Sequence, residues 1–151
     1  MMLKNTTLCY IEHDGKYLML YRNKKKKDIN QGKWIGVGGH QEENESIEEC
    51  LLREVYEETG LKLLSYQLCG KLHFYIDDLY EICYLYTSSC FEGDLIDCDE
   101  GRLEWISKDQ ILQLNLWEGD PLFLKKLLNQ DEYFEMELIY KQDQFIEWRF
   151  L

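Results

Sequence analysis

Residues 39–61 read GHQEENESIEECLLREVYEETGL, a run that contains both a start and a stop for a helix. Ser46 and Glu49, three residues apart, form a capping box, in which each side chain hydrogen-bonds the backbone N–H of the other residue. Gly60 follows Thr59 and readily takes the left-handed conformation that ends helices. The spacing therefore predicts a helix over residues 47–59.

The acidic residues of this predicted helix continue its apolar face. Arg53, Glu49 and Tyr56 fall on the other side, where we expect solvent. A solvated acidic helix, the alternative interpretation, would carry its acids opposite the apolar residues. The residues that share one arc of roughly 120° on a helical projection are Ile47, Cys50, Leu51, Glu54, Glu57 and Glu58.

These acids are also placed badly for the stability of the helix itself. Glu54 and Glu58 are a like-charged i,i+4 pair, which costs roughly 0.2–0.5 kcal/mol. Glu57 and Glu58 lie at the negative end of the helix dipole, which costs about 0.3–1 kcal/mol each. A divalent cation would neutralise them, and carboxylate oxygens suit Mg²⁺ or Mn²⁺. Because Mg²⁺ shares its coordination sphere with substrate phosphates, the helix predicts phosphate chemistry.

The same segment resembles a complete Nudix box. With average residue frequencies, a chance match at one start position has odds on the order of 10⁻¹⁰. The resemblance implies a metal-dependent hydrolase that cleaves a nucleoside diphosphate linked to another group. The residues that carry it are Gly39, Glu45, Arg53, Glu54, Glu57, Glu58 and Gly60, with apolar Val55 and Leu61.

The resemblance also implies a role for each of these positions. Glu54, Glu57 and Glu58 would bind the metal, and one of them, or an acid outside the box, would orient or deprotonate the attacking water. Arg53 would hold the glutamates in place. Glu45 would brace the loop, and the carbonyl of Gly38 could add a ligand. Gly39 and Gly60 would be structural.

Length and composition predict one compact domain over residues 1–151. The chain has 151 residues, 45% hydrophobic and 14% aromatic, a size that buries about 68–70% of its unfolded surface. Its net charge of −12 argues against a nucleic-acid polymer as partner. The lysine run, residues 24–27, is either a solvated loop or a rim that attracts phosphate.

The six cysteines predict a reducing environment. They include no CxxC pair, and we interpret them as small buried hydrophobic residues rather than as three disulfides. The N-terminus shows no signal segment, and no apolar run approaches the roughly 20 residues that span a bilayer. We expect a cytoplasmic protein with no membrane partner, either a monomer or a homodimer.

Strand patterns lie on both sides of the predicted helix. Residues 6–12 and 16–22 flank an Asp14-Gly15 turn. Residues 61–76 and 80–91 are two long β-rich runs, the first with a bend or bulge at Gly70, and residues 103–106 form a short strand. Ser107 and Asp120 are predicted to cap two short helices, the second with Pro121 at its first position. Residues 133–140 and 145–150 predict a closing hairpin.

These elements predict an α/β (α+β) protein with a mixed sheet and helices on its faces. That architecture fits the α-β-α sandwich that the Nudix resemblance implies. No repeat, linker or low-complexity segment divides the chain.

Segments outside the box are similar to those of the MutT-like 8-oxo-dGTP diphosphatases. They are residues 32–39, the Asp99-Glu100 pair, Trp105, and Trp117 with Asp120. The similarity implies that Glu100 is a further metal ligand or general base. The alternative for Glu100 is an exposed acid in a turn.

The same similarity implies a pocket for the base. An aromatic ring such as Trp117 can stack on a purine, and Asp120 can accept hydrogen bonds from its N–H edge. The alternatives are a core aromatic and a helix cap, and for Phe74 and Tyr80 plain core positions. Arg22 would lie near the triphosphate. The implied pocket residues are Thr7, Leu8, Ile35, Phe74, Tyr80, Trp117 and Asp120.

Two positions depart from the mammalian pattern. Ile35 stands where those enzymes place an Asn that reads the base, and Gly119 where they have a second Asp. Loss of polar groups lowers discrimination between substrates. The best candidate substrate is 8-oxo-dGTP, cleaved to the monophosphate and pyrophosphate. The alternatives are ADP-ribose, a dinucleoside polyphosphate, an unmodified dNTP, or a module that binds nucleotide without turnover.

Overall fold

A mixed sheet of eight strands is the framework of the protein in the computed structural model, which describes residues 2–151. The helix and both long β-rich runs lie close to their predicted bounds. In chain order the elements are β1 (Met2–His13), β2 (Lys16–Tyr21), β3 (Trp34–Ile35), α1 (Ile47–Thr59), β4 (Lys62–Ile76), β5 (Leu79–Glu92), β6 (Arg102–Ser107), a 3₁₀ helix (Lys108–Gln113), α2 (Asp120–Leu128), β7 (Phe134–Lys141) and β8 (Gln144–Phe150).

The strands follow the order β3-β2-β1-β5-β4-β7-β8, and β6 pairs with the free side of β2. Two pairs, β1 with β5 and β4 with β7, are parallel, and the other pairs are antiparallel. β1 and β2 stay paired only next to their turn, through Glu12 and His13. Beyond it the segment before α1 pairs with β1, through Val37 and His40. This segment brings the box to the middle of the sheet.

The turn between β1 and β2 confirms the Asp-Gly prediction. Asp14 and Gly15 have φ of 50° and 72°, as the two central residues of a type I′ turn require. The predicted irregularity at Gly70 is also present, as a shift of register between β4 and β5 next to that residue.

Helices cover both faces of the sheet, which confirms the α-β-α architecture. Successive side chains of a strand point to opposite faces, so neighbouring residues of β1 belong to different cores. Cys9 packs in one core with Leu51 of α1. Tyr10 packs in the other with Phe123 of α2.

Three boundaries differ from the sequence predictions. β1 begins at Met2 instead of Thr6, because residues 2–5 also pair in parallel with β5. Ser107 makes no capping hydrogen bond, and the helix after it is 3₁₀. Asp120 is the first residue of α2 and not its cap; the cap position is Gly119.

The cysteines are all free thiols. Cys9, Cys50, Cys83 and Cys98 are buried as expected, whereas Cys69 is half-buried and Cys90 is exposed at the end of β5, which corrects the expectation that all six are core residues. Among residues 2–151, neither α-helix has the length and apolar content that a membrane crossing requires.

Candidate active site

Helix α1 begins and ends as its sequence predicts. The Ser46 hydroxyl accepts a hydrogen bond from the Glu49 amide, and the Glu49 carboxylate accepts one from the Ser46 amide. Gly60 ends the helix at φ 81°. These caps fix which way the acids of α1 face. One of them, Glu57, differs from the prediction: its side chain is 58% exposed, at the edge of the apolar arc.

Arg53 connects the acids of the box to the loop before the helix. Its guanidinium binds Glu45 through two hydrogen bonds of 2.6 and 3.0 Å. It also donates to Glu54 at 2.8 Å and to Glu57 at 3.2 Å. The hydrogen bond from Arg53 lowers the pKa of Glu45 to about 2. Arg53 was expected to face solvent, but this network leaves its side chain only 22% exposed.

Glu54 lies directly against the backbone of the loop at Gly39. A Cβ at position 39 would be 2.4 Å from the Glu54 carboxyl carbon, a contact that real structures exclude. Glycine at this position therefore lets the carboxylate approach the loop.

Gly38 holds the next acid of the helix. Its amide donates to Glu58 at 2.7 Å. The neighbouring carbonyls of Val37 and Gly39 accept hydrogen bonds from β1 amides at 2.6 and 2.9 Å. Carbonyls alternate in direction along an extended chain, so the Gly38 carbonyl points away from β1. It is the carbonyl that the Nudix resemblance assigns to a metal.

Glu58 and Glu100 form a close pair of carboxyl groups, although one lies on α1 and the other in the turn before β6. Burial raises the pKa of Glu58 well above its ordinary value, and the hydrogen bond with Glu100 raises it further. Burial would also raise the pKa of Glu100, but the hydrogen bond from Glu58 and the charges of Arg22 and Lys25 lower it overall. The two carboxyl groups are therefore close enough for each to change the pKa of the other.

Basic residues surround the outer side of Glu100. Arg22 contacts it at 2.9 Å and Lys25 at 3.4 Å, while Lys24 donates to the Cys98 carbonyl at 2.7 Å. Half of the lysine run thus packs on the turn that carries Glu100. Arg22 is in turn held by Asp28 at 2.6 Å.

The donor set at this end suits a hard divalent cation. Glu54, Glu58 and Glu100 offer carboxylate oxygens, and Gly38 offers a carbonyl oxygen, the ligand types of Mg²⁺ and Mn²⁺. The proximity of Glu58 and Glu100 marks a place where positive charge is favourable.

A cavity of about 690 Å³ extends from these acids across the α2 face of the sheet. Its size is in the range of small-molecule sites. Residues expected at the phosphate end and at the base end therefore line one space. The predicted site residues that line it are Thr7, Leu8, Arg22, Ile35, Gly38, Gly39, Glu54, Phe74, Glu100, Trp117 and Asp120.

Tyr80 was expected to line this pocket, and it does not. Leu79 and Glu81 of β5 face the cavity, so Tyr80 between them points to the opposite face. There it stacks on Tyr75 with ring centroids 4.7 Å apart, and its hydroxyl lies 2.7 Å from a ring nitrogen of His73.

We call the part of the cavity lined by Trp117 and Asp120, where a base is expected, the base end. The Trp117 indole N–H donates to Asn30 at 2.7 Å, and the Lys33 ammonium lies 5.2 Å from its ring centroid. Asp120 is buried, and burial raises its pKa to about 7, although Lys33 and the Trp117 backbone partly offset this. The indole is thus held in place, with a titratable acid beside it.

Position 119 has no room for a second acid. The Gly119 amide donates to the Tyr140 hydroxyl at 2.9 Å. A Cβ there would be 2.7 Å from Leu138 and 2.9 Å from that hydroxyl. Tyr140 thus fills the space that a second Asp would need, and it lines the cavity itself.

Sequence reasoning missed several polar residues that line the cavity, among them Asn30, Tyr140 and Glu81. Asn30 lies in the loop between β2 and β3, and no local spacing connects it with Trp117. Tyr140 and Glu81 lie in strands whose facing depends on pairing with distant strands. For Glu81, an acidic residue within an apolar strand pattern, the sequence did contain a signal that the side chain has a role other than packing.

Comparison with known proteins agrees with this geometry. The NUDIX domain model matches residues 2–127. Over 132 residues the chain is 28% identical to the oxidized purine nucleoside triphosphate hydrolase of Danio rerio, which covers 86% of this chain and 83% of that protein. It is 29% identical to the nucleoside triphosphatase NudI of Salmonella agona, over 84% of this chain and all of that protein.

A solved structure shows the same fold over nearly the whole chain. The MutT protein of Bacillus halodurans superposes with a TM-score of 0.89 at 27% identity and covers 97% of both chains. The domain match spans most of the sequence and contains the complete acid cluster. The chain therefore belongs to the NUDIX family.

Proposed function

We propose that this protein is a hydrolase of nucleoside triphosphates that depends on a divalent metal and prefers an oxidised purine, with 8-oxo-dGTP as the best candidate. The products would be the nucleoside monophosphate and pyrophosphate. The observation that carries this proposal is the single cavity that joins Glu54 and Glu100 to Trp117 and Asp120.

The acid end supports cleavage of a phosphoanhydride. Glu54, Glu57, Glu58, Glu100 and the Gly38 carbonyl are the groups that would hold Mg²⁺ or Mn²⁺. Such an ion neutralises phosphate charge and lowers the pKa of water when it is bound. Arg53 positions Glu54 and Glu57 through the hydrogen bonds described above. Glu45 fixes Arg53 in turn.

Two acids are placed to accept a proton from the attacking water. Glu54 and Glu100 both line the cavity, whereas the Glu57 side chain is mostly exposed. The water oxygen forms a bond to phosphorus, the anhydride P–O bond breaks, and pyrophosphate leaves. One water proton passes to a carboxylate. Arg22 also lines the cavity and contacts Glu100 at 2.9 Å, which places its charge close to the expected triphosphate.

The base end supports a purine substrate. The Trp117 ring offers a stacking surface, and Asp120 offers a carboxyl group with a pKa of about 7. Oxidation at C8 places a hydrogen on N7, which unmodified guanine lacks. An ionised carboxylate can accept a hydrogen bond from this N–H group. The similarity to the oxidized purine nucleoside triphosphate hydrolase of Danio rerio agrees with this choice.

A substrate panel with Mg²⁺ tests the proposal. Pyrophosphate release from 8-oxo-dGTP, dGTP, the other dNTPs, ADP-ribose and a dinucleoside polyphosphate is measured as kcat/KM. We expect 8-oxo-dGTP to be favoured over dGTP by about tenfold or more, and Asp120→Asn to reduce this preference. Asp109→Asn, an exposed acid in the 3₁₀ helix, is the matched control.

Each other outcome would reject part of the proposal. Equal kcat/KM values for dGTP and 8-oxo-dGTP would exclude a preference for oxidised purines. A higher value for ADP-ribose or a dinucleoside polyphosphate would reassign the substrate. Tight binding of a nucleotide without turnover, in Mg²⁺ and in Mn²⁺, would indicate a binding module.

A further inference from the structure

Glu81 is an acid in the floor of the cavity that neither the metal end nor the base end uses. It lies near the start of β5, on the face that lines the cavity. Its partner across the parallel pair is Lys4 of β1, and across the antiparallel pair Phe74 of β4. Both partners also line the cavity.

The surroundings of Glu81 leave acceptor capacity for a ligand. The Thr6 hydroxyl donates to one of its oxygens at 3.2 Å. Burial raises its pKa, while the Thr6 hydrogen bond and the charges of His40 and Lys4 lower it. A carboxylate accepts about four hydrogen bonds. Strand packing needs no acid at this point, because the other cavity-facing neighbours on β5 are Leu79 and Cys83.

Its location is between the two ends of the cavity. Toward the metal end, Thr6, which binds Glu81, pairs with His40, the residue after Gly39. Toward the base end, Phe74, the strand partner of Glu81, lies 6.4 Å from the Tyr140 ring between centroids, and the Tyr140 hydroxyl binds Gly119 next to Asp120. In a nucleotide the sugar connects the base to the phosphates. A nucleotide that reaches both ends must therefore pass its sugar over the floor that contains Glu81.

We propose that Glu81 recognises the sugar hydroxyls of the nucleotide and so extends the substrate class to ribonucleoside triphosphates. A carboxylate that accepts hydrogen bonds from ribose hydroxyls is a known solution for nucleotide recognition. The 2′- and 3′-hydroxyls of ribose present two adjacent donors to two carboxylate oxygens. Deoxyribose presents one. This inference rests on the proposed function for its substrate and adds a residue that determines sugar specificity.

The test compares three sugars on one base. The kcat/KM values of the ribo-, 2′-deoxy- and 2′,3′-dideoxynucleoside triphosphates are measured for the wild type, Glu81→Gln and Glu81→Leu. We expect the wild type to favour ribose over dideoxyribose by about ten- to a hundredfold, the scale of a hydrogen bond to a charged group. The ratio should fall in the Gln variant and approach one in the Leu variant. In both variants, kcat/KM for the dideoxy substrate should stay within about threefold of the wild-type value.

Glu137→Gln is the matched control. Glu137 is a part-buried acid of β7, paired with Arg149, and its neighbour Leu138 faces the α2 core. Its substitution should leave the sugar ratio unchanged. The Gln variant keeps the shape of the side chain, so it remains informative if the Leu variant does not fold.

Three results would overturn the proposal. The wild type could have equal kcat/KM values for the three sugars, or the ratio of ribo to dideoxy kcat/KM could be unchanged in both Glu81 variants. The third is a Glu81 variant that changes the base preference and leaves the sugar preference unchanged. The comparison is independent of which base is preferred. The two proposals can fail separately. If the wild type hydrolyses 8-oxo-dGTP and dGTP equally well, but Glu81→Leu removes its preference for ribose, the proposed substrate is rejected and the role of Glu81 is kept.

Discussion

The two ends of the cavity are built in different ways. At the acid end, most of the functional groups come from one continuous stretch, residues 38–58, and are held by hydrogen bonds to each other and to the loop backbone. At the base end, the groups come from the loop after β2, from β1, β4, β5 and β7, and from the start of α2. The residues proposed for the reaction are thus close together in the sequence, whereas those proposed to bind the substrate are brought together by long-range strand pairing.

This difference explains how far each part could be predicted. The bounds of α1 follow from a capping box and a terminal glycine, both local signals. The facing of Tyr80 and Glu81 depends on the register of β5 against β1 and β4, which no local pattern contains. Asp120 carries a cap signature but lies inside α2, because its preceding residue Gly119 is fixed by Tyr140.

The largest expected effect is at the acid end, with Glu58→Gln. If the cation depends on this carboxylate, kcat should fall by about 10²–10³-fold, the scale of a lost electrostatic contact in catalysis. Mg²⁺ should also raise the melting temperature of the wild type more than that of the variant. Turnover assays and thermal melts with and without Mg²⁺ measure both effects.

Glu48→Gln is the control for that experiment, since Glu48 is an exposed acid in the first turn of the same helix. It should leave kcat within about twofold. Near-normal turnover in Glu58→Gln would remove this residue from the reaction and break the distinction between the two ends.

The base end should show a pH dependence of stability that comes from Asp120. Its pKa is raised from 3.8 to about 7 in the folded chain, so between these values the folded chain holds a proton that the unfolded chain has released. The free energy of unfolding therefore decreases as pH rises from about 4 to about 7, and this contribution is constant above that range. Asp120→Asn should lack the decrease.

Urea unfolding at pH 5 and pH 8 measures this difference. We expect the Asn variant to gain on the wild type between the two pH values, by the order of 2 kcal/mol. Asp109→Asn should show no such gain. A pH-independent difference between Asp120→Asn and the wild type would mean that Asp120 is not the titrating group.

Gly119→Asp tests whether the base end can accept a second acid. Because its Cβ would meet Leu138 and the Tyr140 hydroxyl, we expect a loss of about 1–3 kcal/mol in the free energy of unfolding and no gain in activity on 8-oxo-dGTP. Because Tyr140 is itself a core residue, the loss in the double variant with Tyr140→Ala should be smaller than the sum of the two single losses. A stable and more selective Gly119→Asp protein would contradict the role of Tyr140.

The smallest effect is expected at Asn30→Ala. The loss of the acceptor for the Trp117 indole N–H should raise KM by a few fold, with kcat nearly unchanged, because the ring becomes less well positioned for stacking. Asn23→Ala, in the same loop but outside the cavity lining, is the control. A change in kcat alone would place Asn30 in the chemical step instead.

The pairing of β1 with the segment before α1 has a consequence for the length of the substrate. The backbone of β1 binds Val37 and Gly39 on either side of Gly38, while its side chains Thr6 and Leu8 line the nucleoside cavity. The β1 strand therefore sets the distance between the nucleoside and the acids, with a rise of about 3.3 Å per residue. We expect cleavage at a constant number of bonds from the sugar in nucleoside di-, tri- and tetraphosphates, so that only the leaving group changes in size.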